Sequence, residues 1–199
     1  DRQVSFSQYS KYFKCPKSWK LTYIDKIRES QESIDLVFGQ AMHSTIQEWI
    51  KVMYTTTIKK SNEMNLNDLL LTNLKHEYSI RKEKHGSHFS SPEEISSYYA
   101  EGVSILNTLK KKRNIYFSTK QMKLVAIELP LTSQIHEDYP TIKLKGFLDL
   151  VFYNEYTKKY IILDIKTSVR GWNDYKKKDP MTTDQLLIYK IYLAKLLKV

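Results

Sequence analysis

The stretch Lys143-Leu144-Lys145-Gly146-Phe147-Leu148-Asp149-Leu150-Val151-Phe152-Tyr153 decides the fold, together with Tyr160-Ile161-Ile162-Leu163-Asp164-Ile165-Lys166-Thr167 after the polar turn Asn154-Glu155-Tyr156-Thr157-Lys158. Both segments alternate in character around turn residues, the pattern of a β-hairpin. Side chains along a strand point to opposite faces in turn. Asp164 and Lys166 therefore share one face of the second strand, and Ile161, Leu163 and Ile165 take the other. With its own strand in register, Asp149 meets them, and three charged groups converge on an apolar sheet.

An unpartnered carboxylate or ammonium buried in such a sheet costs roughly several kcal/mol, so the charges inside Ile161 to Lys166 need an explanation. A divalent cation supplies one. Two carboxylates, the backbone carbonyl of Ile165 and water form the hard-oxygen environment that Mg²⁺ prefers, and a cation there polarises a phosphate and acidifies water. Lys166 then orients the water or stabilises transition-state charge. The triplet also fits a second reading, a structural Asp-Lys ion pair on an ordinary sheet.

The chain has 199 residues, enough for one domain with a sizeable core. A net charge of +10 and a pI near 9.4 favour a polyanionic partner. DNA or RNA suits this better than a membrane surface, because no long apolar run is present. Hydrophobic residues at 41% and aromatics at 13% exclude disorder over the whole chain. Cys15 is the single cysteine and cannot form an internal disulfide. With no signal peptide or membrane helix in the sequence, an intracellular reducing compartment is expected, with Cys15 as a small buried residue.

Outward from the hairpin, helices dominate the first half. Tyr9, Tyr12, Phe13, Trp19 and Tyr23 recur with helical spacing on either side of Pro16, which predicts two short helices meeting at Cys15-Pro16. Met42, Ile46, Trp49, Ile50 and Met53 form an apolar stripe on another helix, with His43 at its edge. Leu66 to Lys82 repeats the amphipathic pattern. Ser91-Pro92-Glu93-Glu94 is a helix start, with Ser91 as N-cap, and the helix ends in Lys110-Lys111-Lys112-Arg113. Thr55 to Asn67 and Lys84 to Pro92 read as loops. Lys123 to Leu131 reads as a strand, giving a mainly antiparallel three-strand core before a return to helix from about Thr183, where Thr183 or Asp184 could cap. The predicted class is α/β or α+β with a mixed sheet, in a single domain over 1–199: a helical part to about residue 120, then a catalytic sheet and helix over about 121–199.

The series Gly146-x-x-Asp149, Asp164-x-Lys166 and Gln185-x-x-x-Tyr189 resembles the RecB-type branch of the PD-(D/E)XK nucleases, which includes CRISPR-associated RecB-like exonucleases and phage or mitochondrial relatives. Ser5-Phe6-Ser7, Cys15-Pro16 and Gly39-Gln40-Ala41-Met42-His43 resemble that family's opening segment, in the same order. The resemblance implies a restriction-endonuclease-like core with an N-terminal helical part. It also implies that His43 is a metal ligand beside Asp149, Asp164 and the Ile165 carbonyl, its neutral imidazole held from the second nitrogen. Nitrogen ligation makes Mn²⁺ as acceptable as Mg²⁺. Some relatives carry an active-site glutamate at the position of Glu128, which otherwise reads as a solvated carboxylate at a strand edge. Gln185 and Tyr189, four apart on one helix face, are directed toward the active site in the family. Gln185 would hold the lysine or the water and Tyr189 would touch DNA backbone, or Tyr189 simply packs the sheet. Relatives with an iron-sulfur cluster use four cysteines, so none is expected here. Relatives also continue beyond the last helix, so the chain is expected to be a fragment or to have a reduced tail.

Lys110, Lys111, Lys112 and Arg113, with Lys176, Lys177 and Lys178, are candidate phosphate contacts. Arg170, Trp172 and Tyr175 are candidates for lining the strand entrance and stacking on unpaired bases. Such contacts carry little sequence information. The resulting expectation is a Mg²⁺- or Mn²⁺-dependent DNA exonuclease, catalysed by Lys166 with Asp149, Asp164, Gln185, Tyr189 and Glu128, acting on single-stranded ends in recombination, repair or replication. The alternatives are a structure-selective endonuclease, the nuclease domain of a helicase, and an inactive nucleic-acid-binding module. The expected location is the cytoplasm of a bacterium or phage-infected cell, or a mitochondrion; oligomeric state is left open.

Overall fold

A computed structural model describes residues 2–27, 32–117, 120–167 and 178–198, apart from the side chain of Thr182. In chain order the described elements are β1 (Arg2–Ser5), α1 (Phe6–Lys14), α2 (Pro16–Tyr23), α3 (Ile34–Thr55), α4 (Ile58–Glu63), α5 (Leu66–His85), α6 (Pro92–Lys111), α7 (Arg113–Tyr116), β2 (Met122–Gln134), β3 (Ile142–Asn154), β4 (Lys159–Leu163) and α8 (Pro180–Leu197). This is the mixed α/β class that the sequence pattern predicts. The chain divides into two compact units. One comprises Asp1–Gln31, Glu128–Leu148 and Asn173–Val199, and the other Glu32–Ile127 and Asp149–Trp172.

In the second unit, α3 is the organising element. Its apolar stripe of Met42, Ile46, Trp49, Ile50 and Met53 is buried, and it packs against α4, α5 and α6. Each large apolar side chain buried this way contributes about 1.5–3 kcal/mol. Gly102 lets α6 approach closely: a Cβ there would lie 2.6 Å from Leu70 Cδ2, 3.1 Å from Phe38 Cε2 and 3.3 Å from Met42 Sδ. Two buried polar contacts tie the helical layer together. Trp49 Nε1 donates to the Ser61 carbonyl at 3.2 Å, and Asn73 Nδ2 donates to Thr45 Oγ1 at 2.9 Å. Ser91 caps α6 as predicted, accepting from Glu94 N at 3.1 Å.

Four strands form one mixed sheet among the described residues, with β3 paired to each of the others. The hairpin of β3 and β4 is antiparallel, with Leu150 opposite Leu163 and Tyr153 opposite Tyr160. β4 stops at Leu163, so Asp164 to Thr167 lies beyond the ladder instead of inside the strand as alternation predicts. The cause is local. Ile165 N donates to Asp149 Oδ2 at 2.6 Å, and a side-chain acceptor thereby replaces the carbonyl a continued ladder would offer.

In the first unit, β1 pairs in parallel with β3, Arg2 opposite Ile142 and Ser5 opposite Lys145, a strand absent from the three-strand expectation. The helices α1 and α2 meet at Cys15-Pro16 as predicted, with Pro16 at the first turn of α2. Cys15 itself is exposed, which corrects its reading as a buried residue. Its thiol sulfur accepts from Ser18 N at 3.4 Å, so it caps α2 and faces solvent. Two further corrections concern boundaries. Thr57 caps the short α4 inside the predicted Thr55–Asn67 loop, and α8 begins at Pro180, capped by Asp179, which accepts from Met181 N at 3.0 Å.

Candidate active site and metal centre

His43 projects from α3 one turn after Gly39, so the two share a helix face. The Asp164–Thr167 segment crosses that face: a Cβ on Gly39 would lie 3.8 Å from Thr167 Oγ1, an ordinary contact that an alanine would also satisfy. His43 Nδ1 lies 3.7 Å from Asp149 Oδ2, with the two side chains 22% and 12% exposed. The same Asp149 oxygen accepts the Ile165 N–H described above. Lys166 Nζ stands 2.7 Å from Asp164 Oδ2, so these two do share a face as alternation requires. Ile161, Leu163 and Ile165 turn the other way and pack on the buried core of this unit.

The structural reading of the Asp164–Lys166 pair is weak on energetic grounds. Lys166 is 40% exposed, and an ion pair at that exposure contributes about 0–1 kcal/mol. Stability alone therefore gives little reason for this charge pair beside a histidine and a second carboxylate.

His43 and Asp149 face each other without direct contact. At 3.7 Å the gap is too long for a hydrogen bond. With metal–ligand distances of about 2.1 Å, two ligands of one octahedral ion stand about 3.0 Å apart when neighbouring and about 4.2 Å when opposite, so the pair would have to close by about 0.7 Å to bind one ion as neighbours. The donor chemistry of one imidazole and carboxylate oxygens fits Mg²⁺ or Mn²⁺.

Glu128 opens the first unit's part of β2 and is exposed. Its φ of 50° is left-handed, and Ala126 and Ile127 before it are both half-buried, so the strand's in-out alternation breaks at this point. A kink of this kind re-aims a side chain that a regular strand would send elsewhere. Gln185 and Tyr189 share a face of α8, with Gln185 Nε2 donating to the Tyr189 hydroxyl at 3.1 Å. Tyr189 is buried. Its ring lies over Gly146, where a Cβ would come within 2.8 Å of Cε1 and 3.0 Å of the hydroxyl oxygen. The Gly-x-x-Asp and Gln-x-x-x-Tyr motifs are thus physically interlocked through a glycine and a ring.

The basic run that ends α6 is partly engaged. Lys110 Nζ donates to the carbonyls of Asn62 at 3.1 Å and Met64 at 3.4 Å, and Arg113 donates to Asn62 Oδ1 at 2.8 Å, while Lys111 and Lys112 are exposed. Lys178 is exposed as well. Arg170, Trp172, Tyr175, Lys176 and Lys177 lie outside the described residues. Thr167 was the site neighbour without a sequence signal, since its hydroxyl is placed by the path of the chain after β4.

Two carboxylates, an imidazole and a lysine thus stand beside a β-hairpin and a packed helix. Residues 3–199 match the PD-(D/E)XK nuclease superfamily, and the chain belongs to it. Nucleases of this superfamily use divalent metals and act on nucleic acid. No curated protein matches the chain. Among the described residues, no helix is long and apolar enough to cross a membrane.

Proposed function

We propose that the chain is a DNA exonuclease that hydrolyses phosphodiesters at single-stranded ends, using Mg²⁺ or Mn²⁺. The observation that carries this reading is the connected set His43, Asp149, Ile165, Asp164 and Lys166, which links a helix, a strand and the segment after β4. His43 and Asp149 would hold the cation, with Asp164 and the Ile165 carbonyl assigned to it on the family resemblance. A divalent ion there supplies polarisation of a phosphate oxygen and acidification of water.

Asp149 has two tasks in this reading, because it also fixes the backbone of Ile165 and so the direction of Lys166. Lys166 carries a positive charge to the reacting phosphate, and its contact with Asp164 aims the ammonium. Gln185, steadied by the Tyr189 hydroxyl, orients water or the lysine. Lys111, Lys112 and Lys178 contact phosphates, with Arg170, Trp172, Tyr175, Lys176 and Lys177 assigned to the entering strand on sequence grounds alone. The net charge of +10 supports a polyanionic substrate and predicts cleavage that weakens with salt.

The test is degradation of end-labelled linear and circular single-stranded DNA with Mg²⁺, Mn²⁺ or chelator. Linear strands should be shortened and circles spared, with chelator abolishing both. Lys166→Ala should lower the rate roughly 10²–10³-fold while DNA binding persists. Full activity in that variant would overturn the lysine's role. Cutting of circles would replace the exonuclease by an endonuclease.

A further inference from the structure

The α1–α2 hairpin, which no part of the proposed catalytic site uses, carries an unusual surface. Phe6, Tyr9, Tyr12 and Phe13 fall within about 120° of the circumference of α1 at 100° per residue. Ring contacts connect them in two short series. Tyr9 stands 5.8 Å from Phe6 and 6.3 Å from Phe13 between centroids, and Tyr12 meets Trp19 edge-on at 5.3 Å. Trp19 accounts for how α1 and α2 hold together. It does not account for Phe13, 67% exposed, or Tyr12, 52% exposed, where large rings face water.

Charge separates the possible occupants of this face. Residues 2–27 contain six cations, Arg2, Lys11, Lys14, Lys17, Lys20 and Lys26, against the single carboxylate of Asp25. Two of the cations already sit on rings, Arg2 over Trp19 at 5.2 Å and Lys11 over Tyr23 at 5.8 Å. A cavity of about 220 Å³ opens beside them, lined by Arg2, Gln8, Tyr9, Tyr12 and Trp19 together with the aliphatic Val4 and Ile142. This is below the size of a typical small-molecule site, and it offers aromatic rings, two aliphatic side chains, one amide and one guanidinium. Exposed rings interleaved with lysines are what a flexible polyanion with flat apolar faces requires. A protein partner would need a dense acidic surface studded with apolar groups. Single-stranded nucleic acid combines both properties in every nucleotide.

We propose that the α1–α2 hairpin is a stacking platform for unpaired nucleic acid, with Tyr9, Tyr12 and Phe13 facing bases and Lys11, Lys14 and Lys17 facing phosphates. It rests on the reading of the chain as a nuclease of single strands and gives that reading a substrate-holding surface away from the chemistry. Binding here is independent of sequence, because every base has a π face.

The experiment measures fluorescence anisotropy of a dye-labelled thymidine oligonucleotide and of an abasic strand of equal length, on the full chain with chelator present. Phe13→Ala and Tyr12→Ala should each weaken thymidine binding roughly tenfold and leave abasic binding unchanged. Phe13→Trp should restore it. Lys14→Gln and Lys17→Gln should weaken both strands and each flatten the salt dependence by about 0.7 in slope. Thermal melts of the alanine variants check that the hairpin still folds. Equal affinity for the thymidine and abasic strands, or ring variants that bind like the parent, would overturn the platform. So would ring-dependent binding to phosphatidylserine vesicles without oligonucleotide binding. Failure here alongside intact cleavage leaves the nuclease reading standing. Ring-dependent binding by a chain that cuts nothing in Mg²⁺ or Mn²⁺ would do the reverse.

Discussion

Gly146→Ala is the sharpest test of how the motifs interlock. The new methyl carbon would stand 2.8 Å from Tyr189 Cε1, 3.0 Å from its hydroxyl oxygen and 3.1 Å from Cζ. Carbon atoms in contact prefer about 3.5–4.0 Å, so either the ring or β3 must move by roughly 0.5–1 Å. Tyr189 is buried and its hydroxyl accepts from Gln185, so the ring has little room and its displacement also strains that hydrogen bond. Overpacking of this kind costs about 1–3 kcal/mol, with up to about 1 kcal/mol more from the hydrogen bond. In a chain of this length, that corresponds to a melting temperature lower by roughly 2–16 °C. The assay is thermal and urea denaturation followed by circular dichroism, run as a double-mutant cycle with Tyr189→Ala. Removing the ring should erase most of the effect of Gly146→Ala, giving a coupling of about 1 kcal/mol or more. If Gly146→Ala is neutral in the parent, or equally harmful with and without the tyrosine ring, the interlocking argument is wrong.

Mn²⁺ should raise the melting temperature of the parent, as expected for a ligand bound only by the folded state, and the rise should shrink in His43→Ala; an unchanged rise would remove His43 from the donor set. Ser91→Ala should destabilise α6 by about 1 kcal/mol. The backbone N–H at Glu93, and after it the Ser91 side chain, hold the Glu93 carboxyl below its usual 4.5, so part of the fold's stability is present above that pH and lost as pH falls through the lowered value. The acid limb of the stability profile should be shallower in Ser91→Ala. Burial pushes Tyr54 from 10.0 up to about 12. A raised pKa means that its contribution is complete below pH 10 and disappears between about 10 and 12. Tyr54→Phe should remove an alkaline loss on the order of 1 kcal/mol, after allowance for partial exposure, and one late step in the phenolate absorbance titration.

What the sequence made legible follows from the range of each interaction. The stripe on α3, the Ser91 cap and the β3–β4 hairpin are set by neighbours within a few positions, and periodicity or turn chemistry reveals them. β1 is four residues long and its partner begins at Ile142, so no local pattern exposes it. α4 has six residues, too few to show a helical period. The Asp179-Pro180 start of α8 did carry a signal, an N-cap residue before a first-turn proline, which the apolar pattern from Thr183 obscured. Cys15 illustrates another limit, since its residue type favours burial while its place between two helix ends dictates a cap facing solvent. At the site, Asp164 and Lys166 were legible as face-sharing charges. The end of β4 was not, because it depends on a carboxylate fifteen positions upstream of Asp164 taking the next backbone N–H. Nor was the left-handed turn of the chain at Glu128, a conformation that glycine or asparagine usually marks.

The hydrogen bond from Ile165 to Asp149 has a practical consequence for anyone trapping this enzyme on its substrate. Asp149→Asn looks like a gentle way to silence the site, yet it swaps a charged acceptor for a neutral amide at the splint that sets the backbone after β4. If the amide turns its NH₂ toward Ile165, that splint opens and the segment bearing Asp164 and Lys166 is released. Lys166→Met leaves the splint untouched and, under the role proposed for that lysine, is the better choice for capturing bound nucleic acid.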